Sequence, residues 1–262
     1  MVSKTYKRNR LVGKGIANYI LALMGILALI FSIVYVSSIL AFIGLGLTFW
    51  GFLLSYLKRE RYVKSTVLNS TATPSLETLS RIITELDFKG KAVYLPPKYL
   101  KDFKSGMLYI LKKQEVKIPT VEEISEEKTF LRNPNGLCIV PPGLSLTNLF
   151  EKELGQDFIR ADLHFLQNNL PRILIENLEI VQDVEINIEG NRVQVKLVDS
   201  VYSDLCKETR KFSNICSSIG CPLCSSIACA LSRTTGKPVI IEENECSEDG
   251  KIINVQYRIL EE

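Results

Sequence analysis

The sequence predicts an α+β protein in which an N-terminal transmembrane helical hairpin precedes a cytoplasmic domain with a small, mainly antiparallel sheet and packed helices. Three observations carry this prediction. A stretch of 43 residues from Gly15 to Leu57 contains no charged side chain. Apolar and polar residues alternate on both sides of Gly190-Asn191, which is typical of a β-hairpin. Between the strand-like segments, apolar residues recur at helical spacing.

The uncharged stretch is long enough for two passes across a bilayer, because one helical pass needs about 20 apolar residues. We expect the two helices over residues 15–36 and 38–57. Five basic residues precede this stretch, and four more with one acid lie in residues 58–64. The positive-inside rule therefore predicts a multi-pass protein of the cell membrane with both termini in the cytoplasm.

The domain prediction divides the chain into four parts. Residues 1–57 form the basic N-terminus and the anchor, 58–75 a Ser- and Thr-rich linker, 76–155 a first α+β lobe, and 156–262 a second α+β lobe. In the first lobe we expect a helix from Ser75, strands over 91–95, 106–111 and 136–140, and a polar surface loop over 121–136. A helix then has Ser145 as its N-cap and Gly155 as its stop.

The second lobe has the clearest pattern of the chain. We expect a helical segment over 157–180 that Pro171 breaks or kinks, and a hairpin over 183–200. Helices over 201–216 and 221–235 follow, the second closed by Gly236. Strands over 237–244 and 251–259 complete the prediction.

Charge and motifs exclude several classes of function. Outside the two basic flanks acids outnumber bases, 28 to 23, which does not fit a nucleic-acid-binding surface. The sequence has no Ser-His-Asp set and no phosphate loop, and its one histidine, His164, does not build a site alone. We therefore expect no enzymatic activity and name no catalytic residue.

Four of the seven cysteines lie between Cys216 and Cys229. A cytoplasmic location keeps thiols reduced, so a disulfide framework is not expected. Three interpretations stay open: a zinc or iron–sulfur site on these cysteines, with Cys206 as an additional ligand; a thiol-redox pair in Cys221-Pro-Leu-Cys224; and a closely packed helix of small residues. On one helix Cys224 and Cys229 lie about 140° apart, so both cannot point at one ion.

The segment from Val193 onward resembles the 4-vinyl reductase domain, a small-molecule-binding module related in fold to TRAPP transport subunits. The matching features are Cys221 opening a small-residue helix, Gly236-Lys237-Pro238-Val239 closing it, and then Glu245-Cys246 and Gly250. Where that family usually carries a second cysteine, this chain has Asn254. The resemblance implies a sensory or carrier module that binds a hydrophobic small molecule or a partner protein.

Together these observations predict a membrane-anchored cytoplasmic sensory or scaffold module that binds a hydrophobic small molecule or a partner protein. The candidate ligand-binding or metal-binding residues are Cys216, Cys221, Cys224 and Cys246. Zinc and an iron–sulfur cluster are the cofactors considered. The lipid bilayer is the expected partner, nucleic acid is not, and homo-oligomerisation is left open.

Overall fold

The computed structural model describes residues 12–56, 65–99, 106–112, 129–132 and 135–261. The chain divides into two compact units, Met1–Tyr62 and Val63–Glu262. Helices α1 and α2 belong to the first unit, and an antiparallel sheet with several helices makes up the second. The predicted α+β class is therefore confirmed.

Helices α1 (Val12–Tyr35) and α2 (Ser38–Tyr56) form a tightly packed antiparallel hairpin. A Cβ added to Gly51 would lie 2.6 Å from the backbone nitrogen of Ala22, and one added to Gly44 would lie 2.8 Å from that of Leu29. Gly46 meets nothing within 4 Å. Two of the three α2 glycines thus permit the close approach. Among the described residues α2 is long and apolar enough to cross a membrane, and the apolar part of α1 is shorter, Tyr19–Tyr35.

The sheet of the second unit has eight strands, and every neighbouring pair is antiparallel. Their order is β3-β4-β2-β1-β7-β8-β6-β5. The bounds are β1 Ala92–Leu95, β2 Met107–Leu111, β3 Phe130–Arg132, β4 Asn135–Ile139, β5 Asp183–Glu189, β6 Arg192–Val198, β7 Val239–Cys246 and β8 Ile252–Ile259. Pairing of β1 with β7 joins the two predicted lobes into one sheet.

Six helices accompany the sheet in the described part of the second unit, with short helical turns at Pro97–Tyr99 and Phe158–Arg160. Their bounds are α3 Ser65–Glu85, α4 Leu144–Leu154, α5 Leu163–Arg172, α6 Ser203–Thr209, α7 Ser213–Cys216 and α8 Pro222–Thr235. A π-helical turn, Ile173–Asn177, continues α5 beyond Pro171. Gly155 and Gly236 adopt the left-handed conformation after α4 and α8, where helix stops were predicted.

Three expectations for the first lobe differ from the structure. The N-cap of α4 is Gly143 and not Ser145, because the helix already begins at Leu144. Residues 65–75 are not a linker, because α3 begins at Ser65 and contains Pro74. The hydroxyls of Ser70 and Thr73 donate to carbonyls one turn earlier, so these polar side chains find partners within the helix itself. Part of the predicted loop is strand β3, because apolar Phe130 and Leu131 pair with β4; residues 121–128 lie outside the described residues.

Helix α8 forms the centre of the core. It lies between α4 and α5 and the strands β1, β7 and β8, and it is buried from Leu223 to Arg233. Small side chains let the backbone of its neighbour approach: Ser225 Oγ accepts a hydrogen bond from Gly143 N at 3.0 Å. A second apolar cluster lies on the opposite face of β1, because alternate residues of a strand point to opposite faces.

Lys91 connects three parts of the second unit. Its Nζ donates to the backbone oxygens of Ser217 at 3.0 Å, Ile241 at 3.3 Å and Glu242 at 3.1 Å. Burial lowers the pKa of the Lys91 ammonium, and the carboxylate of Glu243 opposes that effect. The start of β1, the segment before α8 and strand β7 therefore meet at this one side chain.

Candidate functional site

Three cysteine thiols meet at the N-terminus of α8. Cys206 comes from α6, Cys221 precedes α8, and Cys224 lies in its first turn. Cys206 Sγ donates to Cys221 Sγ at 3.0 Å, and the Sγ atoms of Cys221 and Cys224 are 3.5 Å apart. The exposed fraction is 5% for Cys206 and 0% for the other two. We call Cys206, Cys221 and Cys224 the thiol cluster.

The local sequence explains how two of these thiols are held together. Cys221 occupies the N-cap in an extended conformation, and Pro222 follows at the first helical position. Gly220 precedes it with φ +75°, which favours glycine. A Cβ added there would lie 2.9 Å from the Cβ of Cys224. Gly220 thus lets the chain turn sharply into α8 and bring Cys221 against Cys224.

Hydrogen bonds favour the ionised form of Cys221 over that of the other two thiols. The thiols of Cys206 and Cys224 both lower the pKa of Cys221 by hydrogen bonding to its ionised sulfur. The backbone amides of Cys224 and Leu223, at the helix N-terminus, lower it further. Together these interactions outweigh burial, which acts in the opposite direction, and the pKa of Cys221 lies well below its usual value.

The other two thiols of the cluster stay protonated. The hydrogen bonds to Cys221 and Cys224, followed by burial, raise the pKa of Cys206 well above its usual value. For Cys224 the contact with Cys206 alone would lower the pKa, but the bond to Cys221 and burial prevail and raise it. Ionisation within the cluster is therefore favoured at Cys221, where the two neighbouring thiols can donate to the sulfur.

A family model described as a domain of unknown function, DUF7982, matches residues 2–258. The chain belongs to the DUF7982 family. No curated protein and no solved structure matches the chain. The DUF7982 match covers both the helical hairpin and the domain that contains the thiol cluster.

Four cysteines of this DUF7982 chain were predicted as candidate ligands, and the structure brings all four near one end of α8. Cys216 is partly exposed, with its Sγ 4.0 Å from the carbonyl oxygen of Asn244. Burial, and then the neighbouring Cys221, raise the pKa of Cys216. Cys246 is buried, and its carbonyl oxygen accepts a hydrogen bond from Arg210. Cys216 and Cys246 thus lie around the thiol cluster, whereas Cys221 and Cys224 are members of it together with Cys206.

The remaining two cysteines lie in other environments. Burial raises the pKa of Cys229 to about 12, and its thiol contacts the side chain of Thr147. Burial raises the pKa of Cys138 on β4 to about 11. The cluster holds Cys224 and does not hold Cys229, which agrees with the helical geometry expected from their spacing.

The described part of this DUF7982 chain contains no group of three or more His, Cys, Asp and Glu side chains arranged to hold a metal ion. Thiolates around a tetrahedral zinc ion lie about 3.8 Å apart, because each Zn–S bond is about 2.3 Å. The sulfurs of Cys206 and Cys221 are closer, at 3.0 Å. The geometry therefore fits a direct sulfur–sulfur interaction better than a tetrahedral zinc site.

Tyrosine side chains enclose the cluster. The hydroxyl of Tyr257 donates to the carbonyl oxygen of Cys224 at 2.9 Å, and that of Tyr94 donates to the carbonyl oxygen of Ile219. Burial raises the pKa of both tyrosines, so they remain neutral. Burial also raises the pKa of Tyr202, which lies near Cys221 and Cys206. The charge on Cys221 therefore sits among neutral groups.

Proposed function

We propose that the protein is a membrane-anchored cytoplasmic sensory module in which Cys206 and Cys221 form a reversible disulfide. The observation that carries this proposal is the 3.0 Å separation of their Sγ atoms. It exceeds a disulfide bond of about 2.05 Å by only about 1 Å. The proposal develops the thiol-redox interpretation of the sequence and moves its partner from Cys224 to Cys206.

The two sulfurs have the complementary character that stepwise oxidation needs. The Cys221 thiolate attacks one oxygen of a hydroperoxide, the O–O bond breaks, and the leaving oxygen takes up a proton. Cys221 is then a sulfenic acid. The Cys206 sulfur attacks it, the S–S bond forms, and water leaves with the Cys206 proton. With hydrogen peroxide, two thiols and one peroxide give one disulfide and two waters.

The burial of Cys221 limits the size of the oxidant that can reach its sulfur. Cys221 has no exposed surface, so a bulky disulfide such as oxidised glutathione does not reach it in the folded domain. Hydrogen peroxide is not much larger than water and carries no charge. Reduction by cellular thiols then requires local opening of the segment around α6.

The membrane anchor and the cytoplasmic location belong to the proposal. Helix α2 supports them through its length and hydropathy, and the basic residues before α1 and after α2 support the orientation. In a reducing compartment the resting state of the cluster is the dithiol, as in the structure, where all seven cysteines are free thiols. Binding of a hydrophobic small molecule or a partner protein remains a prediction of the 4-vinyl reductase resemblance.

Peptide mapping of the full-length protein tests the proposal. The protein in detergent micelles is treated with one equivalent of hydrogen peroxide, free thiols are alkylated, and non-reduced peptides are analysed by mass spectrometry. We expect a Cys206–Cys221 disulfide as the main product. In Cys206→Ser a sulfenic acid should persist at Cys221, because the resolving thiol is absent, and dimedone added with denaturant after the peroxide should trap it. Cys229→Ser is the matched control and should leave the Cys206–Cys221 product unchanged.

Two results would contradict the proposal. The first is recovery of Cys206 and Cys221 as alkylated thiols while the partly exposed Cys216 is oxidised. The second is elemental analysis that finds about one equivalent of zinc or iron per chain, because the cysteines would then serve the metal alternative.

A further inference from the structure

The segment that links the two sulfurs also holds helix α3. Cys206 and Cys221 are fifteen positions apart. The end of α6 and the whole of α7 lie between them, and α3 packs against both helices. A disulfide between Cys206 and Cys221 would therefore close a loop that contains the end of α6 and all of α7, and both helices contact α3.

Asn214 in α7 makes the polar part of this docking. The hydroxyl of Ser80 donates to Asn214 Oδ1 at 2.9 Å. In return, Asn214 Nδ2 donates to the Ser80 carbonyl oxygen at 3.2 Å and to the Thr84 hydroxyl at 3.1 Å. Ser80 is buried, as are the neighbouring apolar side chains Leu76 and Ile83 on the same helix. One amide thus satisfies three polar groups of α3.

We propose that the Cys206–Cys221 disulfide is a redox-controlled clasp on α3, which fixes this helix more firmly to the domain when the cluster is oxidised. The inference rests on the proposed function and adds the structural change that disulfide formation produces. Along the chain, α3 is the helix that follows the hairpin. The state of the two sulfurs then sets how stably α3 is attached to the rest of its own unit.

The physical basis is the entropy of the locally opened state. Helices α6 and α7 have seven and four residues, and such short helices depend on tertiary contacts. When they open, α3 loses its docking surface. A disulfide that closes a loop of about 15 residues removes much of the freedom of this opened state. If the disulfide removes all of this conformational entropy from the opened state, the population of that state falls by up to about a hundredfold.

Hydrogen exchange of the full-length protein in nanodiscs tests the clasp. Exchange is followed by mass spectrometry in the dithiol form and in the disulfide form that peptide mapping has verified. We expect amides of residues 76–85 to exchange at least about tenfold more slowly in the disulfide form. Amides of β6 and β8 serve as the internal reference and should not change.

Two variants separate the clasp from a general stabilisation. Asn214→Ala removes the bonds to α3 and leaves both sulfurs, so the redox dependence of residues 76–85 should fall below about twofold. Asn168→Ala is the matched control, because its amide bonds to the exposed His164 on α5. Asn168→Ala should retain the full difference in exchange rate of residues 76–85 between the dithiol and disulfide forms.

The outcomes distinguish this inference from the function on which it rests. If the disulfide forms and residues 76–85 exchange at equal rates in both forms, the clasp is overturned and the thiol sensor stands. Retention of the full dependence in Asn214→Ala also overturns it, because the docking would not run through α7. If no disulfide forms, both proposals fail.

Discussion

The same helix gives two of its cysteines opposite chemical properties. Hydrogen bonding with the thiols of Cys206 and Cys224, and then the backbone amides at the start of α8, lower the pKa of Cys221 and favour its thiolate form. Cys229 lies two turns further on and is buried without such donors from the backbone, so it stays a thiol. Hydrogen bonding with neighbouring thiols, supported by the helix N-terminus, and not burial alone, decides which sulfur has the lowered pKa.

The buried Cys229 thiol should make the domain less stable in alkaline solution. The unfolded thiol ionises near its ordinary pKa of 9.0, whereas the folded one holds its proton to a pKa of about 12. Rising pH therefore favours the unfolded state, by about 1.4 kcal/mol per pH unit once the unfolded thiol is ionised. Between pH 9 and 10, denaturant unfolding of Cys229→Ala should show a shallower loss of stability than the wild type.

The partly exposed Cys216 provides the comparison for this measurement. Its pKa is raised less strongly, because burial is the main cause at both thiols and Cys216 is partly exposed whereas Cys229 is buried. Cys216→Ala should therefore change the pH dependence by less than Cys229→Ala does. Equal slopes for wild type and Cys229→Ala would show that this sulfur does not stay protonated in the fold.

Gly143 is the residue whose substitution should damage the core most directly. A Cβ at this position would lie 2.5 Å from the Pro222 carbonyl oxygen and from the Ser225 carbonyl carbon, which are backbone atoms of α8. We expect Gly143→Ala to lower the free energy of unfolding by about 3 kcal/mol or more, because a backbone clash in a packed core is not relieved by a rotamer change. Urea unfolding of the 63–262 domain measures the loss.

Gly155→Ala is the control for the Gly143 prediction. Gly155 has φ +67° and meets nothing within 4 Å, so alanine there adds backbone strain without a clash. The expected cost is about 1 kcal/mol. Similar losses for the two variants would contradict the close approach of α4 to α8.

At the residue scale, the sequence located part of the site and not its most important contact. Cys221 was predicted to open a helix, and it is the N-cap of α8, with Pro222 at the first helical position. Cys206 was considered only as an additional metal ligand, because its contact with Cys221 depends on how α6 packs. A short helix with one cysteine carries no local signal for that packing.

Among the helices and strands, local rules worked where a terminus has its own chemical signal. Gly155 and Gly236 marked two helix ends, and Gly190-Asn191 marked the hairpin. Helix α3 was predicted to begin ten residues too late, because Ser, Thr and Pro74 resemble a linker until tertiary contacts favour the helix. Strand β3 is only three residues long and was hidden in a polar segment.

The hairpin should depend on Gly51 and not on Gly46. Leucine at Gly51 would overlap the backbone of Ala22 and force the helices apart, whereas Gly46 faces open space. We expect Gly51→Leu to lower the thermal unfolding temperature of the full-length protein in detergent and Gly46→Leu to leave it nearly unchanged. A larger effect at Gly46 would mean that the helices pack through another face.

For the whole molecule, the class of fold was predictable and the extent of the sheet was not. The alternating segments indicated antiparallel strands, which the structure confirms. Two lobes were predicted because the strands fall into two groups along the chain. The pairing of Val93 with Ile240 joins these groups, and contacts between such distant residues leave no local pattern.

The two compact units predict that the domain folds without the hairpin. Residues 63–262 produced alone should be soluble, show a cooperative unfolding transition and form the Cys206–Cys221 disulfide with hydrogen peroxide.

The full-length protein should sediment with membranes and resist extraction by high salt and by alkaline carbonate. Recovery of the full-length protein in the soluble fraction would contradict the anchor.

The contacts of Lys91 require the donor geometry of an ammonium group as well as its positive charge. An ammonium group directs three N–H bonds in three directions, and here each direction ends on a different carbonyl oxygen. A planar guanidinium cannot reproduce that trivalent arrangement, so arginine is a poor substitute despite its charge. Stepwise methylation of the amine would preserve the cation and remove these donors one by one.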